Sequence, residues 1–197
     1  MKENDTIDTK LWNQIAQNDE KAFNAVFDKY FSRLCNFCHP IVKEVEVAEE
    51  VVSDVFIKLW LNRHSIQIKT GLKPYLFKAT RNTALNYLRQ SNPNINIDEI
   101  GEKELISNIN ADSELIHNEV YTELQQMLNS LSPQQSLIFR MYKLDGLSQA
   151  EIAETLSISL KTVQNHIYLA LKYLTAKWTS QQYEFYLFII LMLTTVI

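Results

Sequence analysis

Cys35, Cys38 and His39 stand in the order Cys-x-x-Cys-His, the pattern by which haem is attached covalently to a polypeptide. Haem attachment requires export, and the opening residues MKENDTIDTKLW lack the basic and apolar regions of a secretory signal. A redox or metal-binding pair is the second alternative. The same segment also shows apolar residues at helical spacing, namely Phe23, Val26, Phe27, Tyr30, Leu34, Cys38 and Ile41. We therefore expect two reduced thiols that pack in the core of a cytoplasmic protein, with no cofactor.

A second set of residue types combines positive charge, amides and aromatic rings between residues 55 and 91. This stretch has seven Lys or Arg and no Asp or Glu, a local charge of +7 in a chain of net charge −4. Residues 92–130, by contrast, carry one basic and eight acidic side chains. Such a concentration of positive charge is typical of a nucleic-acid-binding surface, and a solvated basic face is the alternative.

A third set marks helix boundaries near the end of the chain. Ser132-Pro133-Gln134-Gln135 and Ser148-Gln149-Ala150-Glu151 have the order of capping boxes, the first with proline at the first helical position. Ser159 can cap a third helix, and Gly146 suits a left-handed residue after the first one. Three short helices so closely spaced predict a helix-turn-helix unit, with a plain helical hairpin as the alternative.

The last of these helices has one apolar and one polar face. Its core face contains Val163, Ile167, Ala170, Leu171 and Leu174. In helix-turn-helix units the start of this helix meets base edges in the major groove. Gln and Asn pair with adenine, and no arginine is present to read guanine, so we expect readout weighted to A·T pairs. The candidate DNA contacts are Lys161, Thr162, Gln164, Asn165, His166 and Tyr168.

These residues require an all-α fold with two helical domains and a flexible acidic linker. In the first domain (10–91) we predict helices at 10–18, 19–43, 46–63 and 73–90, the second of them bent near Pro40. Residues 92–112 are rich in Asn, Ser and acids and read as the linker. The second domain (113–178) begins with a further helix at 113–130 and contains the helix-turn-helix unit.

No constellation of catalytic or metal-binding residues is evident. The four histidines are scattered, and neither a phosphate-binding loop nor the ligand spacing of a zinc site occurs. We therefore expect a protein that is not an enzyme and holds no metal.

The helix-turn-helix segment resembles two families, the LuxR-type response regulators and the extracytoplasmic-function (ECF) sigma factors, and does not distinguish between them. The first half of the chain distinguishes the two families. VAEEVVSDVFIKLW, followed by LKPYLFKATRNTALNYLR, resembles the promoter-melting domain of the sigma-70 family, ECF group. A LuxR-type response regulator would instead begin with a receiver domain of alternating strands and helices, a pattern that the first half does not show. The alternatives to a sigma factor are a dimeric LuxR-like regulator and a membrane-associated interaction protein.

The resemblance implies a subunit of bacterial RNA polymerase that directs promoter-specific initiation. In the family, the helix matching 73–90 melts the minus-10 element and holds a flipped base, which requires positive charge, aromatic rings and amides. The matching residues are Lys73, Tyr75, Lys78, Arg81, Asn82, Asn86 and Arg89. Asn82 is the first candidate for a base contact, and Phe77 and Tyr87 are further aromatic candidates for either stacking or the core. The helix-turn-helix unit would read the minus-35 duplex.

The resemblance also implies partners. The helix matching 48–61 docks on a coiled-coil clamp of the polymerase β′ subunit, and the acidic linker threads through the polymerase. The matching residues are Glu50, Ser53, Asp54, Phe56 and Trp60. Acids with an aromatic ring at each of two exposed turns suit such an interface, although many relatives carry Gln where Ser53 stands. The expected partners are core polymerase (β′ clamp and β subunits), promoter DNA and an anti-sigma factor. The subgroup that the chain resembles is paired with anti-sigma factors that span the membrane.

The chain ends with an apolar tail (179–197). From Phe185 onward its thirteen residues carry no charge, and about 20 are needed to span a bilayer. Three alternatives remain: the tail packs on the rest of the protein, binds a partner such as the anti-sigma factor, or makes a peripheral membrane contact at the inner leaflet.

Overall fold

In the computed structural model, residues 3–91 and 128–178 are described, and within these ranges the chain forms seven helices and no strand. The predicted all-α class is confirmed. The helices are α1 (Glu3–Ile15), α2 (Glu20–Val42), α3 (Val45–Leu61), α4 (Leu72–Ser91), α5 (Pro133–Lys143), α6 (Gln149–Leu156) and α7 (Leu160–Trp178). The predictions for the linker 92–112, for most of the helix 113–130 and for the tail 179–197 lie outside the described residues.

The longest helix, α2, lies at the centre of the first helical unit and contacts α1, α3 and α4. Asp19 caps its start, since one carboxylate oxygen accepts from the N–H groups of Lys21 and Ala22 at 2.9 and 3.1 Å. The helix continues through Pro40 and ends where Lys43 adopts a left-handed conformation. Of the predicted apolar face, Val26, Tyr30, Leu34, Cys38 and Ile41 are buried, whereas Phe23 and Phe27 are half-buried; Phe37 is buried as well.

Helix α1 begins at Glu3, seven residues before the predicted start. The reason is a buried carboxylate: Asp8 is 2% exposed and accepts hydrogen bonds from the Tyr30 hydroxyl and from Lys29 Nζ, the latter at 2.7 Å. An ion pair with Lys29 and a hydrogen bond from Tyr30, 21 and 22 residues away, stabilise the first turns of α1 on α2. Local sequence signals do not contain such a contact, so the predicted helix began only at residue 10.

The second helical unit contains α5, α6 and α7, and each helix begins directly after its predicted cap residue. Both capping boxes are present, at Ser132 with Gln135 and at Ser148 with Glu151. Ser159 Oγ accepts from the Thr162 N–H at 3.0 Å and caps α7. Gly146 takes a left-handed conformation (φ 67°) in the turn between α5 and α6, as predicted.

The two units are in contact, because α4 of the first packs on α6 of the second. One contiguous buried cluster includes Leu72 and Leu76 of α4 together with Leu147 and Ile152 of the helix-turn-helix segment. Among the helices of residues 3–91 and 128–178, none has the length and apolar character needed to cross a membrane.

Candidate nucleic-acid interface

Helix α4 presents two faces because its apolar residues recur at helical spacing. Leu72, Leu76, Phe77, Thr80, Ala84 and Leu85 are buried. The opposite edge carries the predicted strand-binding side chains, of which Lys78, Asn82, Asn86 and Arg89 are exposed. These four positions differ by three or four residues, so they form one stripe along the helix. Arg89 Nη1 donates to Asn86 Oδ1 at 3.2 Å, which orients both side chains along this stripe.

Three of the predicted cations of α4, including the exposed Lys78, contact the helix-turn-helix unit. Lys73 Nζ donates to the Gly146 carbonyl oxygen at 3.3 Å, and Arg81 Nη1 lies 3.4 Å from Ser157 Oγ. Lys78 Nζ, although exposed, forms an ion pair with Glu154 Oε1 at 2.7 Å. Burial lowers the pKa of Arg81 from its ordinary value. Part of the predicted DNA-binding surface therefore contacts the second unit.

The aromatic candidates divide between the surface and the core. Phe77 is fully buried and packs edge-on against Phe37, with ring centroids 5.1 Å apart, so it belongs to the core. Tyr75 and Tyr87 are half-buried. Burial raises the pKa of the Tyr75 hydroxyl, which stays protonated at neutral pH. These two tyrosines are the rings of α4 that retain some access to solvent.

Asp145 lies in the turn between α5 and α6, where the two units meet. Burial raises the pKa of its carboxyl to about 7, against the opposing effect of three nearby cations, Arg33, Lys73 and Arg140. These cations belong to α2, α4 and α5, so the carboxyl faces both helical units. Sequence reasoning missed this residue because it depends on contacts between distant segments.

The start of α7 displays a polar surface. Lys161, Gln164, Asn165 and Tyr168 are exposed, and the predicted core residues Val163, Ile167, Ala170 and Leu174 are buried. Gln164 Nε2 donates to Gln149 Oε1 at 3.3 Å, which links this surface to the start of α6. A helix start with exposed amides, a cation and a tyrosine has the donors and acceptors that a major groove requires.

Two predicted contacts of α7 are less accessible. The Thr162 hydroxyl lies 2.8 Å from Ser159 Oγ and belongs to the helix cap, and His166 is half-buried. Both side chains lie beside the exposed surface of α7 rather than at its centre.

The predicted polymerase-binding face of α3 is only partly at the surface. Glu50 and Asp54 are exposed, and Ser53 is half-buried. Phe56, predicted on an exposed turn, is 2% exposed and packs on Phe27 at a centroid distance of 4.9 Å, so that exposure was wrong. Trp60 is half-buried between Phe23, 5.1 Å away, and the Arg63 guanidinium, 4.2 Å above its ring.

Two apolar residues that sequence reasoning missed are exposed on α3. Ile57 is 54% exposed and Leu61 is 69% exposed. They follow Glu50 and Asp54 at helical spacing, so the four side chains share one face. The signal was present in the sequence: Phe56 follows Val52 by four residues and continues the buried stripe, which turns Ile57 outward.

The cysteines lie on α2, Cys35 half-buried and Cys38 buried. Burial raises the pKa of Cys35 to about 11 and that of Cys38 to about 12. Thiols with such pKa values are protonated at neutral pH and are poor nucleophiles and metal ligands. Within residues 3–91 and 128–178, no group of three or more His, Cys, Asp or Glu is placed to hold a metal ion.

Both halves of the chain match known families. Residues 26–93 match the sequence model described as Sigma-70 region 2, and residues 121–174 match the one described as Sigma-70, region 4. The two matches together span more than half of the chain. The protein therefore belongs to the sigma-70 family.

Curated relatives give the group within that family. The chain is 26% identical over 164 residues to the ECF RNA polymerase sigma factor SigW of Bacillus subtilis, covering 79% of this chain and 88% of that protein. It is 25% identical over 172 residues to the ECF RNA polymerase sigma-E factor of Escherichia coli K12, covering 83% and 90%. The protein is thus a promoter-recognising sigma factor of the ECF group, as predicted, and the LuxR-like alternative is set aside.

Solved structures share the fold. The sigma factor RpoE in a co-crystal structure with the anti-sigma factor NepR from Bartonella quintana gives a TM-score of 0.53 at 19% identity, covering 82% of this chain and 99% of that chain. CnrH in complex with the cytosolic domain of CnrY gives 0.54 at 19% identity, covering 89% and 99%.

Proposed function

We propose that α4 of this sigma factor captures the unpaired strand of the minus-10 element while α7 reads the minus-35 duplex. The observation that carries this assignment is the stripe of Lys78, Asn82, Asn86 and Arg89 along α4. Cations neutralise phosphates, and amides bind the edge of an unpaired base, so one helix supplies both kinds of contact. Lys73 and Tyr75 extend this surface toward the start of α4, and Arg81 adds a cation beside Asn82.

Helix α7 is the reader of duplex DNA. Gln164 and Asn165 are exposed on adjacent positions at its start, where a recognition helix meets base edges. Lys161 and Tyr168 flank them and suit contacts with phosphates, with Thr162 and His166 at the margin. Because α5–α7 carry few cations, duplex affinity of this unit alone is low, and the polymerase supplies the rest.

Core polymerase is the partner that brings both elements onto a promoter. On α3, exposed Ile57 and Leu61 beside Glu50 and Asp54 form an apolar centre with an acidic margin, which suits a basic coiled coil such as the β′ clamp. Ser53 and Trp60 lie at the edge of this face. The chemistry of RNA synthesis belongs to the polymerase, and we assign no catalytic step to this chain.

An anti-sigma factor is the second expected partner. The two solved structures above are complexes, one with an anti-sigma factor by its own description, which supports a regulator of this kind here. Initiation by a polymerase subunit takes place in the cytoplasm, so we assign the protein to that compartment. We also propose that an anti-sigma factor holds the protein at the inner membrane.

The test is reconstitution with core polymerase. The full chain should co-purify with core enzyme and direct run-off transcription from a subset of genomic fragments that core enzyme alone ignores. Asn82→Ala should lower run-off by about 5- to 150-fold, the range of a base contact of about 1–3 kcal/mol, without loss of core binding. The matched control is Asn24→Ala, which removes an exposed amide from α2. Normal run-off with Asn82→Ala would contradict the role of α4.

A further inference from the structure

Arg63 follows the last residue of α3 by two positions and contacts three groups at once. Its Nε donates to Asn18 Oδ1 at 2.7 Å, its Nη1 donates to the Trp60 carbonyl oxygen at 2.5 Å, and its guanidinium carbon lies 4.2 Å from the centroid of the Trp60 ring. We propose that Arg63 is a positioning residue for polymerase docking, because it holds the Trp60 ring in one orientation at the edge of the docking face of α3. This inference rests on the proposed role of that face.

The guanidinium group suits this role because of its shape. It is planar and carries five N–H donors in a fixed geometry, so it can donate hydrogen bonds at its edge while its flat side lies over an aromatic ring. A cation beside the last carbonyl groups of a helix is also stabilised by the helix dipole. The half-buried Arg63 side chain is therefore held by two hydrogen bonds and in turn restricts the ring beneath it.

Asn18 supplies an acceptor that the backbone holds in place. It lies in the turn between α1 and α2 with a left-handed conformation (φ 69°), which Asn adopts more readily than most residues. Its N–H donates to the Ile15 carbonyl oxygen at 2.9 Å, and the next residue, Asp19, caps α2. The hydrogen bond to Arg63 therefore connects the α1–α2 turn to the end of α3, across 45 residues of sequence.

The Trp60 ring has a second neighbour and one accessible part. Phe23 of α2 contacts it with ring centroids 5.1 Å apart, and the ring is half-buried, so part of it remains for a partner. Trp60 follows the exposed Ile57 by three residues and thus lies beside the apolar centre of the docking face. A ring that already has its bound orientation loses less conformational entropy on docking. Arg63 therefore raises the affinity for polymerase without touching it.

The first experiment measures the affinity for core polymerase by pull-down titration of the full chain. Arg63→Ala should weaken binding about two- to fivefold, the factor that corresponds to one exposed cation–π contact. In a Trp60→Ala background, Arg63→Ala should weaken it no further, because the two residues act as one unit. Lys21→Ala, which removes an exposed cation from the first turn of α2, is the control and should bind as the wild type does. Unchanged affinity of Arg63→Ala, or losses that multiply in the double variant, would overturn the proposal.

The second experiment measures the ring itself. The chain has three tryptophans, so Trp12→Phe with Trp178→Phe leaves Trp60 as the only one. Acrylamide quenching of its fluorescence should increase with Arg63→Ala and with Asn18→Gly, since glycine keeps the left-handed turn but removes the amide. Asn18→Asp retains an oxygen acceptor and should preserve the quenching and the core affinity of the parent protein. Equal quenching in all four proteins would overturn the positioning role.

The docking face can fail separately from the role of Arg63. If Leu61→Ser and Trp60→Ala both bind core polymerase as tightly as the wild type, the docking face is wrong, and the inference is overturned with it. If Leu61→Ser weakens binding and Arg63→Ala does not, the face stands and the positioning role alone is wrong.

Discussion

Asp145, a half-buried residue in the turn where the two helical units meet, makes the stability of the protein depend on pH. Burial raises its pKa to about 7, although Arg33, Lys73 and Arg140 oppose the shift. An acid with a raised pKa takes up a proton when the protein folds. Its contribution therefore favours the folded form most below its ordinary pKa of 3.8 and is lost progressively as the pH rises to about 7.

The corresponding prediction concerns Asp145→Asn, which holds the group neutral. Between pH 5 and pH 8, the wild type should lose more free energy of unfolding than the variant, and the two should differ most at pH 8. Urea unfolding followed by circular dichroism measures both slopes, and contributions from histidines cancel in the comparison. Parallel curves for the two proteins would show that Asp145 ionises as it does in water.

Cys35 and Cys38 are predicted to react slowly with thiol reagents in the native protein. Since burial raises both pKa values to 11 or above, neither thiol forms much thiolate at pH 8. Ellman's reagent should react slowly with the native protein and release two equivalents of thiol after denaturation. A pyridine haemochrome assay on the purified protein should be negative. Rapid labelling of the native protein, or a haemochrome spectrum, would contradict core packing.

Single residues also show where sequence reasoning succeeds and where it fails. The buried stripe of α3 was predicted from spacing, as were the exposed amides of α7. Phe56 was placed outside because its aromatic ring suited a binding role, although its spacing from Val52 continues the buried face. A role taken from resemblance displaced the evidence of helical spacing at that position.

At the scale of elements, the helix-turn-helix unit was predictable because its signals are local. Each cap lies within three residues of the group it binds: Ser148 Oγ accepts from the Glu151 N–H at 3.3 Å, and Glu151 Oε2 accepts from the Ser148 N–H at 2.7 Å. The start of α1 was not predictable in this way, since it depends on Asp8 pairing with Lys29 and Tyr30 across the fold.

The capping box of α6 is predicted to contribute to the free energy of unfolding. Ser148→Ala removes the side chain that caps the helix and should lower the free energy of unfolding by about 1 kcal/mol. Ser32→Ala, on the exposed side of α2, is the control and should change it by no more than about 0.5 kcal/mol. Urea denaturation measures both. A loss at Ser148 no larger than that at Ser32 would mean that the capping box does not stabilise α6.

At the scale of the whole molecule, the relation between the two helical units determines which surfaces a partner meets. The pair Lys78 and Glu154 is separated by 76 residues in sequence, and nothing local in either segment indicates their contact. The sequence predicted two helical units, and their contact became visible only when the fold brought α4 and α6 together. This contact covers part of α4, while the apolar face of α3 remains exposed.

The exposed face of α3 predicts how the molecule assembles with polymerase. Leu61 is 69% exposed, so Leu61→Ser should leave the stability nearly unchanged but weaken binding to core polymerase by about tenfold, the effect of losing an apolar anchor of more than about 1 kcal/mol. Val45→Ser is the control, because Val45 is 50% exposed at the start of the same helix. Pull-down titrations with core enzyme measure both affinities. Equal binding by the two variants would place the docking surface elsewhere.

Permanganate footprinting measures whether α4 holds an unpaired promoter strand. On a promoter selected by run-off transcription, holoenzyme with the wild-type chain should make thymines near the minus-10 element reactive. Asn24→Ala should preserve this reactivity, and Asn82→Ala should abolish most of it while core binding is retained. Full thymine reactivity with Asn82→Ala, or none with the wild-type holoenzyme on any selected promoter, would show that α4 does not hold the unpaired strand.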